Sequence, residues 1–486
     1  MRSRVFFIFV FLSILLSVAD AQPTLQNKIE TILKDDFYSS SHIGVSVRDV
    51  SNNAVLADVN KDKRLVPASS LKLITTLISL ELLGEDYVYK TTITHDGYID
   101  DFGILKGNLY IEGSGDPSFG SDRIPGVPDL KAQLEIILKD IKKYGIQCIE
   151  GDIISDESVF NSFSVAPTWQ WNDLGNYYAA GAWGLNVNEN LYNVYFNSNK
   201  PIGSPSPIAY YEPRIPNLKL DNEVTIDSAH TGDNVYIFGG PYHYGKRAIG
   251  TVPQGKTLFK VKGSIPDPPL FFAYTLLSFL EKNDMGGLNY KTLYRTTNSK
   301  ASRKKIVQYT SPPLKLLVKY ANDYSINIYC ESFLKTLGAE KDGMGSGANG
   351  IEVIEQYLKS NKISLENCVM ADGSGLSNRN LLSPDVLTTF LTLIGSKTKF
   401  DSLYEVIPPA GIRGTVKSLF GGSSLQGKFL VKTGSMDRVL TYSGYCQAIS
   451  GKFVAFSVFL NHSDFPKPRD NKLKLAKILE SIYKYS

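Results

Sequence analysis

Apolar and polar positions along the chain change rhythm several times. Leu25 to Leu33 carries apolar residues at helical spacing and predicts a short helix. His42–Val50 and Ala54–Val59 alternate instead. With Ser51-Asn52-Asn53 between them they read as two strands of a hairpin. Pro67-Ala68-Ser69 then opens a long apolar helix that runs to about Leu83 and ends at Gly84. From 91 to about 295 the texture becomes strand-rich, with short patterns punctuated by Asp96-Gly97, Gly103, Gly107, Gly113, Gly115 and Gly151. Prolines crowd between Pro201 and Pro216, which is loop composition. After about 300 the helical patterns return over Pro313–Leu337, Ile351–Lys359 and Val386–Ile394. A meander follows over Phe429–Thr433, Leu440–Ile449 and Phe453–His462, and a basic amphipathic helix, Lys472–Tyr485, is expected to pack on a sheet.

This order divides the chain into three parts. Residues 1–21 have Arg2 and Arg4 ahead of an apolar run from Val5 to Val18, then Ala19-Asp20-Ala21. That is the layout of an export signal with cleavage after Ala21, and the run is short for a ~30 Å hydrocarbon core. No later stretch is apolar enough to span a bilayer, so an exported chain with no integral membrane segment is expected. Residues 22–90 and 296–486 are expected to form one α+β domain, an antiparallel sheet flanked by helices, with 91–295 inserted as strand-rich structure holding a nested subdomain.

Composition removes alternatives. Hydrophobic residues make up 43% of the 486 and charged residues 21%, which is globular, and 52 Lys and Arg against 48 Asp and Glu does not point to nucleic acid. Four cysteines are too few for a disulfide scaffold, and no pairing follows from their spacing. Cys330 and Cys446 read as buried small hydrophobes. The five histidines show no metal-ligand spacing, and neither a metal nor a cofactor is expected. Gly343-Met344-Gly345-Ser346-Gly347 lacks a following Lys-Ser/Thr and reads as a loop.

Chemistry concentrates elsewhere. Ser69-Ser70-Leu71-Lys72 places a hydroxyl and an amine at i and i+3 on one helix face, close enough to share a proton. The Ser-x-x-Lys spacing recurs at Ser302/Lys305, Ser332/Lys335, Ser396/Lys399 and Ser481/Lys484, but only the Ser69 copy follows Pro-Ala at a helix start. Ser325-Ile326-Asn327 stands in a helical pattern. Lys432-Thr433-Gly434 stands on a strand pattern, where the lysine presents an ammonium to a pocket and the glycine admits a ligand to the backbone. Together, in this order, they match the active-site set of penicillin-binding proteins and class A β-lactamases.

The spacing narrows this resemblance. With Ser325 standing 256 positions after Ser69, the chain resembles the D-Ala-D-Ala carboxypeptidase/endopeptidase family of class C low-molecular-mass penicillin-binding proteins. Gly113–Pro117, Tyr177–Gly181, Asn186–Asn190 and Asp372–Ser377 are similar too. The resemblance implies an exported, periplasmic acyl-serine DD-peptidase of the cell wall that acts on peptidoglycan stem peptides and is acylated by β-lactams.

Carried onto this chain, it implies Ser69 as nucleophile, Lys72 as its base and Ser325 as proton relay. It implies that Asn327, Lys432, Thr433, Gly434 and Ser435 bind substrate, with the amides of Ser69 and Ser435 as oxyanion hole. A β-lactamase or esterase on the same scaffold, and a non-catalytic cell-wall-binding protein, remain as alternatives. Asp372–Gly375 reads as a structural turn.

Overall fold

The computed structural model describes residues 24–293, 303–463 and 468–486. The expected export signal and the expected boundary at 296 lie outside the described residues. The centre of the fold is a five-stranded antiparallel sheet in the order Phe429–Met436, Val439–Gln447, Phe453–Asn461, His42–Asp49, Val55–Val59. The N-terminal hairpin thus completes the C-terminal meander, with His42 opposite Asn461.

Both faces of this sheet are covered. On one face lie the helices Leu25–Leu33 and Pro468–Tyr485. Leu475, Ile478, Leu479 and Ile482 form a single helical stripe against Val431, Phe456 and Val458, as the amphipathic pattern predicts. On the other face the helices Lys72–Leu83, Leu314–Tyr324, Asn327–Asp342, Gly347–Ser360 and Pro384–Lys397 share a core with Leu430, Tyr445 and Phe459.

One predicted element is different. The helical pattern over Pro313–Leu337 is broken: Leu314–Tyr324 ends at Ser325 in the left-handed region (φ 57°, ψ 43°), Ile326 is extended, and a new helix starts at Asn327. Apolar spacing does not reveal the break, because Leu317 and Ala321 before it and Ile328 after it enter the same core. Ser325 and Asn327 therefore sit at a junction between two helices and not within one continuous helix.

Residues between the serine helix and Pro312 build a second core. A mixed sheet runs Tyr290–Leu293, Ile153–Asp156, Leu109–Glu112, Lys90–His95, Lys304–Thr310. Lys304–Thr310 pairs with Lys90–His95, so this strand belongs to the inserted sheet although it follows residue 296. Three three-stranded sheets and the helices Leu130–Lys143 and Pro268–Glu281 complete the region. The proline-rich stretch holds a short strand, Ile208–Glu212. Cys330 and Cys446 are buried free thiols, and Ser346 of the glycine-rich loop caps the helix Gly347–Ser360. No helix among the described residues is long and apolar enough to cross a membrane.

Leu479 is fully buried between the C-terminal helix and the sheet. Leu479→Ala is expected to cost about 2–5 kcal/mol, read as a lower midpoint in denaturant unfolding followed by circular dichroism.

Candidate active site

The serine stands on a short 3-10 turn, Ala68–Leu71, that feeds directly into the helix Lys72–Leu83. Ala68 has φ 44°, an uncommon conformation for a residue with a side chain, and the surroundings hold it there. Thr441 donates its hydroxyl to Pro67 O at 2.9 Å, so Ser70, at 2.8 Å, donates to Thr441 Oγ1. Gly434 lies against the same turn. A Cβ on it would stand 2.8 Å from both Ser69 N and Pro67 O and 2.3 Å from Thr441 Oγ1. The glycine is thus required by the approach of the protein's own serine turn, where the sequence had suggested approach of a ligand.

Lys72 is completely buried, and its amine donates to three oxygens from separate parts of the chain. These are Ser69 Oγ at 3.0 Å, Asn327 Oδ1 at 2.5 Å and Ser374 O at 2.6 Å. Burial lowers its pKa below 10.5, while Cys330, Asp372 and Glu331 pull the other way. Lys432, on the edge strand of the sheet, is equally buried and donates to Ser325 Oγ at 2.9 Å and Thr433 O at 2.7 Å. Burial, then repulsion from Lys72, holds its pKa well below the usual lysine range. Asn327 completes the link by donating Nδ2 to Tyr178 O at 2.7 Å, which ties the helix junction to a loop of the inserted region. The left-handed turn at Ser325 is what lets residues 325 and 327 reach different lysines.

A cleft of 810 Å³ opens over these groups, lined by Ser69, Ser325, Asn327 and Ser435. Thr433 does not line it. Its hydroxyl meets Thr415 at 3.0 Å on a neighbouring cleft of 750 Å³ that Ser435 also borders. The inserted region supplies a wall that motif spacing missed, including Gln170, Asn172, Asp173 and Tyr236. The available signal was a run of amides and aromatics from 169 to 178. Asp372–Gly375, expected as a structural turn, is a loop whose Ser374 O accepts a hydrogen bond from Lys72. Of the other Ser-x-x-Lys copies, Lys335 is buried but donates to Phe163 O and Ala182 O. Among the described residues no group of three or more His, Cys, Asp or Glu is placed to hold a metal ion.

Gly434→Ala is expected to lower the rate of acylation by a β-lactam at least about tenfold, because the serine turn must shift to admit the methyl group. Stopped-flow acylation with circular dichroism as a control on folding measures it.

A D-alanyl-D-alanine carboxypeptidase, DacB, of Haemophilus influenzae is 25% identical over 465 residues, covering 92% of this chain and 91% of that protein. A D-alanyl-D-alanine carboxypeptidase of an Actinomadura species is 25% identical over 457 residues, covering 91% and 82%. The crystal structure of penicillin binding protein 4 from Haemophilus influenzae superposes with a TM-score of 0.81 at 23% identity, covering 94% of this chain and 99% of that one, and shares its fold. The model of the D-Ala-D-Ala carboxypeptidase 3 (S13) family matches residues 25–482, and the chain belongs to that family.

Proposed function

We propose that this chain cleaves the terminal D-Ala-D-Ala bond of peptidoglycan stem peptides, and crosslinks of the same chemistry, through an acyl-serine intermediate. The observation that carries the reading is the pairing of two buried lysines with two hydroxyls over one cleft, Lys72 on Ser69 and Lys432 on Ser325. Neutral Lys72 takes the proton of Ser69 Oγ as that oxygen bonds to the carbonyl carbon of the penultimate D-alanine. The amides of Ser69 and Ser435 stabilise the resulting oxyanion. Ser325 passes a proton to the leaving amine as the C–N bond breaks, and water then hydrolyses the ester.

Lys432 has a second part. The carboxylate of the terminal D-alanine stabilises its ammonium, with Ser435, which lines the cleft, as a hydrogen-bond donor beside it. A charged Lys432 repels a proton on Lys72, so binding the substrate favours the free base. Asn327 holds Lys72 and the substrate peptide, and Gly434 lets strand and serine turn meet. A β-lactam offers the same carboxylate and carbonyl and acylates Ser69. The enzyme acts outside the cytoplasm, in the periplasm, after removal of residues 1–21. Residues 91–295, with the strand that follows, act as an inserted unit that walls the cleft.

Intact-protein mass spectrometry of residues 22–486 with benzylpenicillin tests this. One equivalent should bind at Ser69 and vanish in Ser69→Ala; a folded sample without an adduct overturns the reading. Since burial lowers the pKa of Lys72, the acylation rate should rise with pH along a limb centred below 10.5, as the free amine accumulates. Ser325→Ala should cut turnover of a D-Ala-D-Ala peptide by about 10²–10⁴-fold, measured as released D-alanine.

A further inference from the structure

Residues 372–377 pass between the serine helix and the helix Asn327–Asp342, and every amide from 373 to 377 is taken by a side-chain oxygen. Gly373 N donates to both carboxylate oxygens of Glu331, at 3.1 and 3.2 Å, and Ser374 N to Oε1 at 2.8 Å. Gly375 N and Ser377 N donate to Asp372 at 2.8 and 2.6 Å, and Leu376 N to Ser374 Oγ at 3.4 Å. Asp372 is itself held by Trp169 Nε1 and Asn380 Nδ2, each at 2.8 Å.

The carbonyls of this loop face the opposite way, onto the serine helix. Gly373 O accepts from Thr75 Oγ1 at 2.7 Å and Ser374 O from Lys72 Nζ at 2.6 Å. Lys72 and Thr75 are three residues apart and share a face of that helix. Gly375, with φ 78°, sits so close that a Cβ would stand 2.0 Å from Ala68 O, next to the nucleophile. Glu331 is buried, and a buried carboxyl is costly unless its oxygens are filled; here loop amides fill them.

Resting on the acyl-serine reading above, we propose that Glu331 is a positioning residue for the base: through the amides of Gly373 and Ser374 it holds the Ser374 carbonyl on Lys72 Nζ and keeps that amine aimed at Ser69 Oγ. Glu331 does not line the cleft and acts through the loop alone. The charged and titratable groups facing Lys72 are Lys432 from the edge strand, Cys330 and Glu331 from the helix Asn327–Asp342, and Asp372 from the loop. Glu331 in turn faces Asp372 and Lys335. Burial, with the Asp372 carboxylate beside it, pushes the Glu331 carboxyl well above the ordinary range. A protonated Oε2 still leaves Oε1 to accept both amides, and glutamine reproduces that arrangement.

The test separates noncovalent affinity for benzylpenicillin from the acylation step, across pH, in Glu331→Ala, Glu331→Gln and Thr75→Val. Glu331→Ala should slow acylation about tenfold or more with affinity unchanged, as for a misaimed catalytic group. Glu331→Gln should recover to within about threefold, with its ascending pH limb moved to lower pH, because an anion that favours the Lys72 ammonium is gone. Should the alanine variant not fold, Thr75→Val, which keeps its shape and loses only the donor to Gly373 O, should slow the same step. A folded alanine variant acylating at the wild-type rate overturns the proposal, as do equal losses in Ala and Gln with the pH limb unmoved. Wild-type protein that forms no adduct instead overturns the acyl-serine reading.

Discussion

A lysine amine with no access to water must be surrounded by oxygens or give up its proton, and the rest of this fold is arranged around that demand at Lys72. The three oxygens it meets belong to the serine turn, to the helix junction at Asn327 and to the loop at Ser374. None of these segments is adjacent in sequence to another. Moving any one of them leaves the amine with an unfilled direction in a low-dielectric site, which is expensive. The site is therefore specified by packing among three elements, and the chemistry follows from the same contacts that stabilise it.

The edge strand imposes a matching constraint from the other side. Lys432 and Gly434 alternate with Thr433 and Ser435, so one face of the strand supplies the buried ammonium and the close approach to the serine turn. The other supplies hydroxyls. The inserted region closes the arrangement: Tyr178 O holds Asn327, and Trp169 holds Asp372. An insertion that looks peripheral in sequence thus contributes to the geometry around Lys72.

Much was legible without coordinates. The helix Leu25–Leu33, the N-terminal hairpin, the serine helix ending at Gly84 and the C-terminal meander all follow from apolar period and turn residues, because those signals are local. The break at Ser325 was not legible, since the apolar spacing on its two sides is continuous and a left-handed serine carries no sequence mark. The same limit hid the strand Lys304–Thr310, whose partner lies more than two hundred positions earlier.

The sequence by itself determined the chemistry available: which hydroxyls, amines and amides exist, in what order, and which of them share a helix face or a strand face. Only the tertiary structure decided how that chemistry is poised. Burial of two lysines, the approach that only glycine permits at 434, and the grip of Glu331 on the loop beside Lys72 are all contacts between segments far apart in the chain. Desolvation and hydrogen-bond geometry depend on what surrounds a group in space, and no local pattern of residues encodes that.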